Sequence, residues 1–138
     1  MKSLSEILQL ARDQKKEENS SKLTTIQAFD IDYISGRKSI YLVISLSCMH
    51  CIELIPHLNE LNSKDTFYLI TDGNDNDNQE IRKEFKYEFE VYSYTKPYDR
   101  INIYKTPTAL LVDENGNIID SHFTPFITDV INFCNKVV

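Results

Sequence analysis

Cys48-Met49-His50-Cys51 sets two thiols three positions apart, between the apolar run Ile40-Tyr41-Leu42-Val43-Ile44-Ser45-Leu46 and a segment, 52 to 61, whose apolar residues fall at helical spacing. Thiols so spaced, where a strand gives way to a helix, can cycle between dithiol and disulfide. The free amide N–H groups and positive potential at a helix start favour a thiolate over a thiol. Cys48 is then the candidate nucleophile at the helix N-cap, and Cys51, one turn further in, the candidate resolving thiol. Exchange of this kind runs through thiolate attack on a disulfide, a mixed disulfide, and release by the second thiol.

The elements that must hold these sulfurs follow from periodicity and punctuation. Ile40 to Leu46 is nearly all apolar, as in a parallel strand buried on both faces. A helix is expected over 49 to 62, bent at Pro56, which has no N–H to give. Strands are expected at 24–31, 66–71, 88–94, 108–112 and 118–121, the last two joined by the turn Asp113-Glu114-Asn115-Gly116-Asn117. Helices are expected at 3–17, at 79–87 and at 125–135, the last with Thr124 as N-cap and Pro125 in the first turn. Residues 98–104 read as a weak helix or turn. The polar stretch Asp72 to Asn78 reads as a solvated loop capping the helix after it; it lacks the central Gly and terminal Glu of a calcium loop. The order gives an α/β domain: a central mixed β-sheet flanked by helices, preceded by an extra N-terminal helix. We divide the chain into a helical arm, 1–21, and one domain, 22–138.

The chain has 138 residues, enough for one domain with a real core. Its net charge is −6 with basic residues scattered, which argues against a nucleic-acid partner. No apolar run approaches the roughly 20 residues of a membrane span. The N-terminus lacks the apolar stretch and cleavage site of a secretory signal, so a cytoplasmic location is expected. Three cysteines, only two of them close, do not make a disulfide framework. The third, Cys134, shares a stripe with Ile127, Val130 and Ile131 and reads as a buried thiol.

Three local features, taken with the element order, make the chain resemble the thioredoxin superfamily. They are CxxC at a helix start, Pro56 five residues after Cys51, and Thr106-Pro107-Thr108 before a strand. The subgroup it most resembles is the redoxin type, and the stretch Thr106 to Ile118 is similar to that subgroup's "tPt…lvDenGnI". The resemblance implies a thioredoxin-like fold over about 24 to 136 and a cis bond before Pro107. It implies that Thr106 offers main-chain groups to an extended substrate, with Pro107 and Met49 beside it. It also implies a role for His50. Strongly oxidising disulfide-forming proteins carry a His just before the second cysteine, where it stabilises the thiolate. A thiol of pKa about 8.5 is roughly 3% ionised at pH 7, and one near 6 about 90%. Falling nucleophilicity cancels most of that gain, leaving about two- to threefold in rate. His50 is therefore expected to act mainly on redox poise.

The chain also departs from the family. Ser47 stands where thioredoxins have Trp, Leu42 where they have a buried Asp, and Leu54 where the cytochrome-maturation branch has Glu. Glu53, one place early, is expected to face away from Cys51. A peroxidase pattern is incomplete: Ser45 fits, but Tyr41 occupies the place of that family's Pro. Structural zinc wants four ligands, usually two such pairs, and no second CxxC exists. We assign no metal and no cofactor. The expected function is thiol-disulfide exchange with protein or peptide cysteines, served by an upstream thiol reductant or oxidant. A non-catalytic thioredoxin-like interaction module and a metal-binding CxxC protein are the alternatives. Small proteins of this type sometimes accompany genes for cysteine-containing secreted peptides, including bacteriocins, which suggests the client class.

Overall fold

The computed structural model describes residues 25–29 and 36–137. The expected N-terminal helix at 3–17, and with it the 1–21 arm, lies outside the described residues.

Five strands form one sheet: β1 Ser39–Val43, β2 Phe67–Thr71, β3 Val91–Ser93, β4 Thr108–Val112 and β5 Ile118–Phe123, in the spatial order β3-β2-β1-β4-β5. β1 pairs parallel with β2, and β2 parallel with β3. β4 runs antiparallel to both β1 and β5. The apolar run of β1 is sorted by the period of two: Ile40, Leu42 and Ile44 enter one core, Tyr41 and Val43 the other. β2 and β4 divide in the same way, Phe67, Leu69, Ala109 and Leu111 against Tyr68, Ile70, Leu110 and Val112. A sheet buried on both faces is what a near-continuous apolar strand requires.

Three α-helices cover the first face: α1 Met49–Leu54, α2 Asp75–Glu84 and α3 Ile127–Cys134. The second face is closed by Ile26, Phe29, Ile101 and Ile103 and by a group of tyrosines, with Tyr41 stacked on Tyr68 and Tyr94 on Tyr98.

Several expected boundaries are corrected. Within 24–31 the described residues form a 3-10 turn, Ile26–Phe29, and one bridge, Thr25 to Asn117, rather than a strand. Ile26 and Phe29, three apart, fall on the same side of such a turn, and both are buried. The expected helix at 49–62 runs to Leu61 and changes type at the proline: α1 ends at Leu54 and Ile55–Leu61 continues as 3-10 helix. α2 starts at Asp75, not at 79, because Asn74 and Asp77 cap each other's backbone N–H. Thr124 is no N-cap. It is buried and donates its N–H to Pro107 O at 2.8 Å, while the Asp129 carboxylate takes the Phe126 N–H and α3 begins at Ile127. β5 runs on to Phe123, which pairs with Thr108 beside Pro107.

Candidate active site

Cys48 sits at the junction of β1 and α1 as the N-cap residue, in extended conformation, with φ −97° and ψ 125°. Its N–H closes the turn onto Ser45 O at 3.1 Å, and its own carbonyl accepts from Ile52 N at 3.0 Å. The sulfur is partly exposed, and the S–H donates to Thr106 O at 3.4 Å. The Thr106–Pro107 peptide is cis. Cys51, one turn into the helix, is fully buried and accepts the Ser45 N–H on its sulfur at 3.4 Å. The two cysteines stand one helical turn apart, close enough for each thiol to act on the other's ionisation, and both are free thiols.

The two thiols are held in opposite states. Partial burial works against the Cys48 thiolate. It is outweighed by the favourable effect on the thiolate of the nearby Thr106 hydroxyl, the main-chain N–H groups of Cys51 and His50, and the Cys51 thiol, so the Cys48 pKa falls below its ordinary value. Full burial drives the Cys51 thiol up to about 12. The Thr106 hydroxyl and the Ser45 N–H oppose that rise; the hydrogen bond and charge of Cys48 add to it. The last two contributions belong to the resting dithiol. Once the Cys48 sulfur is tied to another sulfur it carries no charge, and Cys51 then ionises more readily. The arrangement gives one sulfur ready to attack and a second whose activation follows the attack.

The sequence-predicted residues divide between those at the sulfurs and those around them. Cys48, Cys51 and Thr106 meet directly. Pro107 is buried next to them, and its carbonyl is held by Thr124. Met49 is strongly exposed, at 68%, one residue from Cys48. His50 is exposed; it lies in the first turn of α1, two residues from Cys48, and its imidazole stands edge-on to Phe123 with ring centres 6.4 Å apart. Leu54 is buried and Glu53 exposed, so no carboxylate of this helix reaches Cys51. Among the described residues no group of three or more His, Cys, Asp or Glu side chains could hold a metal ion, and no helix is long and apolar enough to cross a membrane.

No known family profile matches the sequence, and no curated protein matches it. Solved structures do. A thioredoxin-like protein solved in its oxidized form superposes with a TM-score of 0.59 at 17% identity, over 75% of this chain and 79% of that one. StoA from Bacillus subtilis gives 0.55 at 20% identity, over 82% and 93%. A secreted Mycobacterium tuberculosis disulfide oxidoreductase homologous to Escherichia coli DsbE gives 0.53 at 16% identity, over 76% and 84%. The chain has a thioredoxin-like fold.

In this thioredoxin-like chain, three residues near the sulfurs escaped the sequence reading of the site. Asp72, placed by the sequence in a solvated loop, is half-buried and accepts from Ser45 Oγ at 2.6 Å and Leu46 N at 2.8 Å. Ser45 entered only as part of an incomplete peroxidase pattern. Tyr98 donates from Oη to Ile44 O at 2.6 Å. A topological signal was available for Asp72. It follows a strand parallel and adjacent to the one before CxxC, so its side chain lies beside the loop leaving that strand.

The buried thiols also set the response to alkali. Cys51 titrates near 12 and Cys134 near 11, both pushed up by burial, against about 8.5 in an unfolded chain. Their contribution to stability is therefore complete below about pH 8.5 and is lost as pH rises through 11 to 12. Burial raises Tyr41, Tyr87 and Tyr98 as well, which extends the loss above about pH 10. Under reducing conditions the urea midpoint should fall steadily above pH 9; a flat profile from pH 8 to 11 would show that these groups ionise without unfolding cost.

Proposed function

We propose that this protein is a thiol-disulfide oxidoreductase that exchanges disulfides with protein or peptide cysteines through Cys48 and Cys51. The observation that carries the reading is the pairing, one helical turn apart, of a partly exposed, acidified Cys48 whose thiol donates to Thr106 O with a buried, high-pKa Cys51 that accepts the Ser45 N–H. In the reducing direction, Cys48 thiolate attacks one sulfur of the client disulfide, and the client's other sulfur leaves as a thiolate. Cys51 then attacks the Cys48 sulfur, forming Cys48–Cys51 and freeing the second client thiol. The client gains two electrons, which an upstream thiol reductant restores. Run in reverse, with an upstream oxidant, the protein delivers a disulfide.

The client lies along Thr106, whose main-chain groups pair with an extended segment. Exposed Met49, Ile52, Tyr104 and Phe123 offer apolar contact for that segment, which supports a polypeptide client rather than a small thiol. The finer assignment, a cysteine-containing secreted peptide of the bacteriocin kind, rests on resemblance alone. A bacterial source and a cytoplasmic setting belong to the same proposal. The setting is supported by three cysteines that form no disulfide framework.

His50, in the first turn of α1 and two residues from Cys48, is assigned to redox poise through its side chain, as the resemblance implies. Thioredoxin-type turnover of insulin by dithiothreitol tests the reading. The protein should accelerate it, and His50→Ala should make the disulfide less oxidising in a glutathione equilibrium. Failure to accelerate with both cysteines intact would favour the interaction module.

A further inference from the structure

We propose that Tyr98 and Asp72 are positioning residues that hold the Ile44–Leu46 turn as a donor to the resolving thiol. The inference rests on the oxidoreductase reading and deepens it. This chain lacks both family carboxylates near Cys51, with Leu42 and Leu54 in their places. Among the described hydrogen bonds, the main-chain donor on the Cys51 sulfur is the Ser45 N–H, at 3.4 Å.

That N–H belongs to the same peptide unit as the Ile44 carbonyl, and Tyr98 Oη donates to the carbonyl at 2.6 Å. The phenol therefore fixes the plane of the donor and polarises it, because a hydrogen bond at the oxygen end of an amide strengthens the N–H end. The Ile44 N–H is tied to Ile70 O at 2.9 Å, which fixes the residue from the other side. Asp72 fastens the following residues: Oδ2 takes the Ser45 hydroxyl and Oδ1 the Leu46 N–H. The Asp72 loop is itself seated closely. A Cβ on Gly73 would meet Leu46 Cδ1 at 2.6 Å; the Gly73 N–H donates to Thr71 Oγ1 at 3.1 Å, and its carbonyl accepts from Ser93 Oγ. Tyr98 is anchored by its stack on Tyr94, with ring centres 5.9 Å apart. Two elements distant in sequence thus grip one turn whose outward product is an N–H aimed at sulfur.

The step served is resolution. In the mixed disulfide Cys48 Sγ–S–R the Cys51 thiolate attacks Cys48 Sγ, the Sγ–S bond to R breaks and RS⁻ leaves; the proton that Cys51 gave up goes to RS⁻, or to solvent when RS⁻ is a weak base. One disulfide is exchanged for another, with no external oxidant. The donor N–H stabilises the Cys51 thiolate before attack. A hydrogen bond to a charged group is worth about a factor of ten or more in an equilibrium.

The test uses 5,5′-dithiobis(2-nitrobenzoate) and the reduced full chain, with Cys134→Ser in all variants so that the third thiol is silent. Attack by Cys48 releases one thionitrobenzoate, and resolution by Cys51 releases a second. Tyr98→Phe removes the hydroxyl and keeps the ring; it should slow the second release about three- to tenfold, the gain in thiolate being half cancelled by its lower nucleophilicity, and leave the first within twofold. Asp72→Ala should do the same, and Asp72→Asn, which keeps an acceptor for Leu46 N–H, should recover most of the rate. Equal slowing of both releases, or an unchanged second release in Tyr98→Phe and Asp72→Ala, would overturn the positioning role. Absence of any second release with Tyr98 and Asp72 both intact would overturn the oxidoreductase reading beneath it.

Discussion

Cys51→Ser should stop the exchange half-way and hold the client on Cys48. The first attack needs only the Cys48 thiolate, and the groups that favour it, Thr106 and the amides of His50 and Cys51, survive the substitution. Release then depends on an external thiol. Well-placed neighbouring groups reach effective concentrations of about 10^5 M and more, so a built-in thiol acting at only about 1 M would outrun an external thiol at about 1 mM by some 10^3-fold. Insulin turnover should fall by about that factor, and a mixed disulfide should appear on non-reducing gels and in the intact mass. Cys48→Ser should lose turnover equally and form no adduct, since Cys51 is buried with its thiol near 12. Turnover at the original rate in Cys51→Ser, or adducts in Cys48→Ser, would reverse the assigned roles. The same trap, used in an extract, identifies the client and tests the secreted-peptide assignment.

Iodoacetamide at pH 7 should modify Cys48 at least about a hundred times faster than Cys51 or Cys134. A thiol titrating near 12 is about one part in 10^5 ionised at that pH, while one below 9 is at least about one part in 10^2. The ratio of thiolates is therefore some 10^3. The more basic thiolate is the better nucleophile, with a Brønsted slope near 0.5, which returns about thirtyfold. Ionisation alone leaves about thirtyfold over Cys51 and about tenfold over Cys134, which titrates near 11, and burial of both against partial exposure of Cys48 supplies the rest. Peptide mapping of timed samples gives the three rates. Comparable rates for Cys48 and Cys51 would mean that the difference in environment does not exist in solution.

The parts of the site that are local in sequence were legible there. CxxC after an apolar run and Pro56 each act within a few residues of themselves, and each stands where periodicity and turn chemistry put it; Thr106-Pro107 was legible only through the family resemblance, because its partner Cys48 lies 58 positions away. The sheet was legible for β1, β2 and β4, because a strand buried on both faces leaves a run of apolar residues. What failed was decided by partners far along the chain or by competition between caps. Thr124 has the composition of an N-cap, but Pro107 O claims its N–H, and the Asp129 carboxylate sets the helix start instead. Asp72 looks solvated among Gly73, Asn74 and Asp75, yet the parallel pairing of β1 with β2 brings it to Ser45 and Leu46. Ile26 and Phe29 have strand-like neighbours, but their three-residue spacing suits one side of a 3-10 turn under the sheet. Tyr98 gave no signal at all, since a tyrosine 54 positions from its acceptor can be placed only by the fold.

The central claim is that Cys48 and Cys51 join and part reversibly as a working pair. The direct measurement is a redox titration in glutathione buffers of graded ratio, quenched by alkylation and read by peptide mass spectrometry. A single reversible transition between dithiol and a Cys48–Cys51 disulfide is expected, with Cys134 alkylated as a free thiol after unfolding at every ratio. A chain that forms no disulfide between these two residues, or that pairs either of them with Cys134 instead, would contradict it.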